Sequence, residues 1–89
     1  MKLTESQRNQ ITRYKIQIQE CRKYIENESR RKKEKSEYYT AQIKNAKDLN
    51  TKRNYREYKL SNANNSNNLI AGKRREIEKL KESISNIKR

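Results

Sequence analysis

Across 89 residues the chain has no proline and a single glycine, Gly72. Those two residue types supply most of the breaks in regular backbone, so this chain has few places to change direction. Glu, Lys, Arg and Gln, all good helix formers, fill many of the non-apolar positions. Alternation of apolar and polar residues, the mark of a half-buried strand, reaches five residues only at Tyr14 to Ile18. The sequence therefore predicts an all-α fold.

How those helices stabilise themselves follows from what is scarce. Ile and Leu together number 14, Phe and Trp are absent, and 39% of the residues are charged. That is little apolar mass for one small domain to bury alone. The expected form is a long helical hairpin or an extended rod, with coiled-coil-like seams. Oligomerisation or a larger assembly would cover its apolar stripe.

A helix start is marked at Thr4, with Gln7 three residues on, which is the spacing of a capping box. A heptad seam runs from there. Ile11, Ile18 and Ile25 fall at a, and Tyr14 and Cys21 at d; the frame continues to Tyr39 and Ala46 at a and Leu49 at d. Between them the seam fails, because Glu28 and Lys35 occupy d and Lys32 occupies a. Glu26–Arg30 and Glu28–Lys32 are favourable i,i+4 pairs. The expectation is a continuous helix over residues 1–60, with a middle that is solvated or faces an anionic surface and a possible break near 50. Residues 61–68, Ser-Asn-Ala-Asn-Asn-Ser-Asn-Asn, form the best linker candidate, since Asn and Ser favour turns and caps. A second amphipathic helix is expected over 69–89. Its seam has Ile70, Ile77 and Ile84 at a, Leu80 and Ile87 at d, and Lys73 at the remaining d. Gly72 weakens the start of that helix, which is expected near Asn68 or at Lys73.

Catalysis finds little to work with. There is no His, one Asp (Asp48), one Cys (Cys21) and no glycine-rich phosphate loop. General acid–base chemistry, thiolate nucleophiles and ordinary zinc sites need residues that are missing. A non-enzymatic protein with no cofactor and no metal is expected. Cys21 at d reads as a small buried hydrophobe.

The net charge is +13. It divides as +6 over residues 1–50 (13 basic, 7 acidic), +3 over 51–68 (4 and 1) and +4 over 69–89 (7 and 3). Such a chain attracts polyanions along its whole length. Three clusters stand out as nucleic-acid-binding candidates. They are Arg30, Arg31, Lys32 and Lys33 with Lys35; Lys52 and Arg53 with Arg56 and Lys59; and Lys73, Arg74 and Arg75. Lysine and arginine following a phosphate backbone release its counterions and bind without reading sequence. Tyr38, Tyr39, Tyr55 and Tyr58 lie beside basic residues, as base-stacking platforms do. Packing at the seam or at a subunit contact accounts for them more simply.

No apolar signal-peptide core follows Met1, and no run is long enough to span a bilayer, so a cytoplasmic or virion-interior location without membrane contact is expected. Lys (14), Asn (11), Ile (9) and Tyr (6) all have A/T-rich codons, which points to a low-GC source such as a Firmicute or one of its phages.

Arg74 and Arg75 ahead of Ile77, Leu80, Ile84 and Ile87 resemble the order of a bZIP factor, but the Asn and Ala that read bases there are absent. In length and hairpin character the chain resembles WXG100-like partners of type VII-secreted toxins. It has no Trp for the W-x-G turn, and its Y-x-x-x-E match, Tyr24–Glu28, lies mid-helix. The leading expectation is a multi-copy helical component that contacts nucleic acid, DNA before RNA, and docks on other helical subunits or a large scaffold. An internal virion or DNA-packaging protein fits that description. The alternative is a small helical protein–protein partner, a secretion chaperone or inhibitor, that pairs with an acidic helical target.

Overall fold

The computed structural model describes residues 2–89. Two long helices, α1 (Glu5–Asn45) and α2 (Leu49–Lys88), fold back on each other as an antiparallel hairpin. The rod measures 69 × 15 × 12 Å, close to the roughly 60 Å that forty residues of α-helix span at about 1.5 Å each. No helix among the described residues is long and apolar enough to cross a membrane.

The start of α1 follows its sequence signature. Thr4 is extended (φ −70°, ψ 162°); its hydroxyl accepts from the Gln7 amide at 3.1 Å, and its own amide donates to Gln7 Oε1 at 2.9 Å. Two otherwise orphaned donors are satisfied in this way. The turn needs neither glycine nor a left-handed residue. Ala46 leaves the helix in extended conformation (φ −70°, ψ 136°) while its amide still reaches Gln42 O at 2.9 Å. Asp48 then caps α2, accepting from the Asn50 amide at 3.3 Å and from the Thr51 hydroxyl at 3.4 Å.

Residues 61–68, expected as a linker, lie inside α2. Asn and Ser are only mildly unfavourable in a helix, by up to about 0.7 kcal/mol each relative to Ala, and two of them gain cross-helix bonds here. Ser66 is 3% exposed and donates to Glu28 Oε1 at 2.9 Å; Asn67 accepts from Lys32 Nζ at 2.7 Å. The same bonds correct the reading of the charged interruption in α1. Glu28, 8% exposed, faces α2 and not solvent, and Lys32 is half-buried beside it; Lys35 alone of the three is exposed. The second helix accordingly starts at Leu49, far ahead of Asn68 or Lys73. Gly72 sits within it as an ordinary helical residue without positive φ.

The apolar core lies towards the end that carries both termini. Ile18, Cys21 and Ile77 form its centre, with Ile25, Leu80 and Ile84 packed against them. Nearer the turn, Tyr39 lies 6.3 Å from both Tyr55 and Tyr58, ring centre to ring centre, and Tyr38 stacks edge-on against Tyr39 at 5.3 Å. The rings thus pack on one another.

Candidate nucleic-acid interface

The hairpin brings parts of the first and third basic clusters together and leaves the second near the turn. Lys32 and Lys33 of α1 and Arg74 of α2 line one open groove between the helices, with Asn67 also lining it and Glu37 as its acidic member. Lys33 and Arg74 are exposed, and Lys32 is half-buried and held by its bond to Asn67. Lys59 of the second cluster is half-buried and donates to Thr40 Oγ1 at 2.9 Å; Lys52 is also half-buried, and Arg56 is exposed.

Several of the expected cations already have carboxylate partners. Arg30 lies 3.6 Å from Glu26, Arg31 3.8 Å from Glu28, Arg53 3.7 Å from Glu57 and Lys73 3.3 Å from Glu76. Lys73 also sits 5.0 Å over the Tyr24 ring, and Lys35 6.0 Å over that of Tyr38. Glu28 is buried, but the other pairs are exposed or half-exposed and contribute little to stability, so a phosphate can compete for those cations. Lys32, Lys33, Lys35, Lys52, Arg56, Lys59, Arg74 and Arg75 have no carboxylate within 4.0 Å among the described residues. Arg75 is exposed, and helical geometry turns it about 100° from Arg74, away from the groove.

The expected packing residues fall on the α1–α2 contact with one exception. Ile11, Ile18, Cys21, Ile70 and Ile77 are buried; Tyr14, Ile25, Tyr39, Leu80, Ile84 and Ile87 are half-buried. Leu49 is 80% exposed, because α2 has only just begun there and the turn points it away from α1. Sequence reasoning missed Glu28, Ser66, Asn67 and Thr40 as interhelical partners. The missing signal was the hairpin register: once the turn is set at 46–48, the charged stretch of α1 lies opposite the Asn/Ser stretch of α2.

Burial of Cys21 pushes its thiol pKa above the ordinary value. The nearby Glu76 carboxylate adds to the rise and Lys73 opposes it. This is the setting of an inert thiol. Among the described residues no group of three His, Cys, Asp or Glu side chains is placed to hold a metal ion. No family model, no curated protein and no solved structure matches the chain.

Proposed function

We propose that the hairpin is a non-enzymatic structural component that binds nucleic acid through its phosphates, DNA in preference to RNA. The single observation that carries this reading is the shared groove. Lys32 and Lys33, from one half of the sequence, meet Arg74, from the other. With +13 on a 69 Å rod, long-range attraction brings a polyanion to any face, and the groove is where cations from both helices converge on it. Non-specific, charge-driven contact of this kind suits a multi-copy packaging or internal virion protein of a low-GC phage. The test is retention on immobilised random duplex DNA. The wild-type chain is expected to bind at low salt and elute as salt rises, and K32Q/K33Q/R74Q is expected to elute earlier. Passage of the wild-type chain through the column without retention contradicts the proposal.

A second reading, a partner for an acidic helical protein, is favoured by one stripe at the turn end of α2. Leu49 and Leu60 are 80% and 65% exposed. They lie eleven residues apart, about three helical turns, with Arg53 and Arg56 between them on the same face. An amphipathic helix with glutamates beside its apolar positions complements such a stripe. In this reading L49S/L60S abolishes binding of a designed acidic amphipathic peptide without altering elution from DNA. No binding of that peptide by the wild-type chain removes this reading.

A further inference from the structure

The antiparallel register is bracketed by side-chain contacts at two levels: Glu28–Ser66 and Lys32–Asn67 at mid-rod, and Thr40–Lys59 nearer the turn. Carried towards the open end, a register between the offsets of those contacts sets residue 22 close to 74, 15 close to 81 and 8 close to 88. Gln7 and Lys88 do line one hollow at that end. All six positions are basic and exposed: Arg22 and Arg74, Lys15 and Lys81, Arg8 and Lys88. On each helix the three residues recur every seven positions, so they stay on one face with a drift of only about 20° per step.

The face is the one that carries the mid-rod groove. Arg74 lines that groove directly, and so does Ser29, one heptad beyond Arg22 on the α1 row. We infer that Arg8, Lys15, Arg22, Arg74, Lys81 and Lys88 form a two-row basic ladder, extending the groove to the open end, and that it binds a phosphodiester backbone. Successive rungs are about 10.5 Å apart and the outer two about 21 Å, at a rise of about 1.5 Å per residue. At about 3.4 Å per base pair that length covers on the order of six base pairs of duplex. Lys81 also lies 3.5 Å from Glu78, and both side chains are at least half exposed, so a phosphate displaces that carboxylate at little cost.

The ladder rests on the nucleic-acid reading above but shares only Arg74 with its groove, and its test, on α1 residues outside that groove, separates the two. Binding of a random 24-base-pair duplex, and of a single-stranded RNA of equal charge, is measured by fluorescence anisotropy across a salt series. Three proteins are compared: wild type, R8Q/K15Q/R22Q, and the control R13Q/R75Q/K79Q. The control removes the same charge from exposed positions turned well away from the groove. Circular dichroism first establishes that all three are equally helical. Loss of three duplex phosphate contacts lowers the log–log salt slope by about 2.7, or about 2.1 on single strands. The expected result is a fall of that size for R8Q/K15Q/R22Q and a clearly smaller one for the control. The polymer bound more tightly by the wild type identifies the source of the backbone. Equal falls for the two variants overturn the ladder and leave nucleic-acid binding standing. No binding by the wild type defeats both.

Discussion

In the half of the hairpin that carries the termini, Ile11, Ile18, Cys21 and Ile77 are buried and Ile25, Leu80 and Ile84 pack around them. In the half next to the turn the same two helices meet through Tyr39, Tyr55 and Tyr58 and through the bonds of Glu28, Lys32 and Lys59 to Ser66, Asn67 and Thr40. The first half is held mainly by removing apolar surface from water, which is strong but says little about register. The second is held by packed tyrosine rings and by directional bonds, each of modest net worth, which restrict how one helix can sit against the other. Adhesion and alignment are thus assigned to different parts of one interface.

Substitutions that empty each half separate the two roles. Ile77→Ala at the apolar centre is expected to cost about 2–5 kcal/mol, the range for deleting a buried branched side chain. Tyr58→Ala, at a ring that is 54% exposed, is expected to cost well under half as much by thermal denaturation. Comparable losses would erase the contrast between the halves. Next in size is Ser66→Ala, which strips the buried Glu28 carboxylate of its cross-helix donor and leaves it only the 3.8 Å approach of Arg31. A loss of about 1–2 kcal/mol is expected. The double change E28L/S66A replaces both partners with apolar groups and is expected to be neutral or stabilising. A double variant as unstable as Ser66→Ala would mean that the bond itself, and not the stranded charge, carries the effect.

Gly72→Ala is expected to raise stability by about 0.5–1 kcal/mol, because a mid-helix glycine forfeits backbone entropy. A Cβ there meets nothing nearer than the flexible Arg75 guanidinium at 3.9 Å. The smallest effect belongs to Cys21. Its thiol pKa is raised in the folded chain, so the folded state holds that proton more tightly than the unfolded one does. The resulting stability is fully present below the unfolded thiol's pKa and is lost as pH rises through the folded value. Denaturation followed into the alkaline range is therefore expected to show a steeper decline for wild type than for Cys21→Ala. Parallel declines would contradict burial as the source of the shift.

The apolar half was legible in the sequence because its signal is local. Ile11, Ile18 and Ile25 repeat every seven residues, as do Ile70, Ile77 and Ile84, and each repeat names its own inward face. The polar half was not, because its signal is relational. Glu28 at a d position looks like a failed seam until Ser66 is known to stand opposite, and 61–68 looks like a linker until Glu28 and Lys32 are known to need partners. The possible break near 50 lies close to the turn, but the linker was placed at 61–68 for a related reason. Asp48 caps a helix as well as Asn or Ser does, but one aspartate draws less notice than a run of eight Asn, Ser and Ala residues. The basic clusters were readable as charge; which of them share a groove depended on the register.

Amide hydrogen exchange over residues 61–68, resolved by residue, bears most directly on whether the charged stretch of α1 and the Asn/Ser stretch of α2 are two sides of one polar layer. Protection comparable with that of flanking α2 residues such as Leu60 and Ile70, falling across the segment when Glu28 and Lys32 are both replaced by Ala, is the expected result. Exchange at unprotected, linker-like rates in the wild-type chain would contradict it.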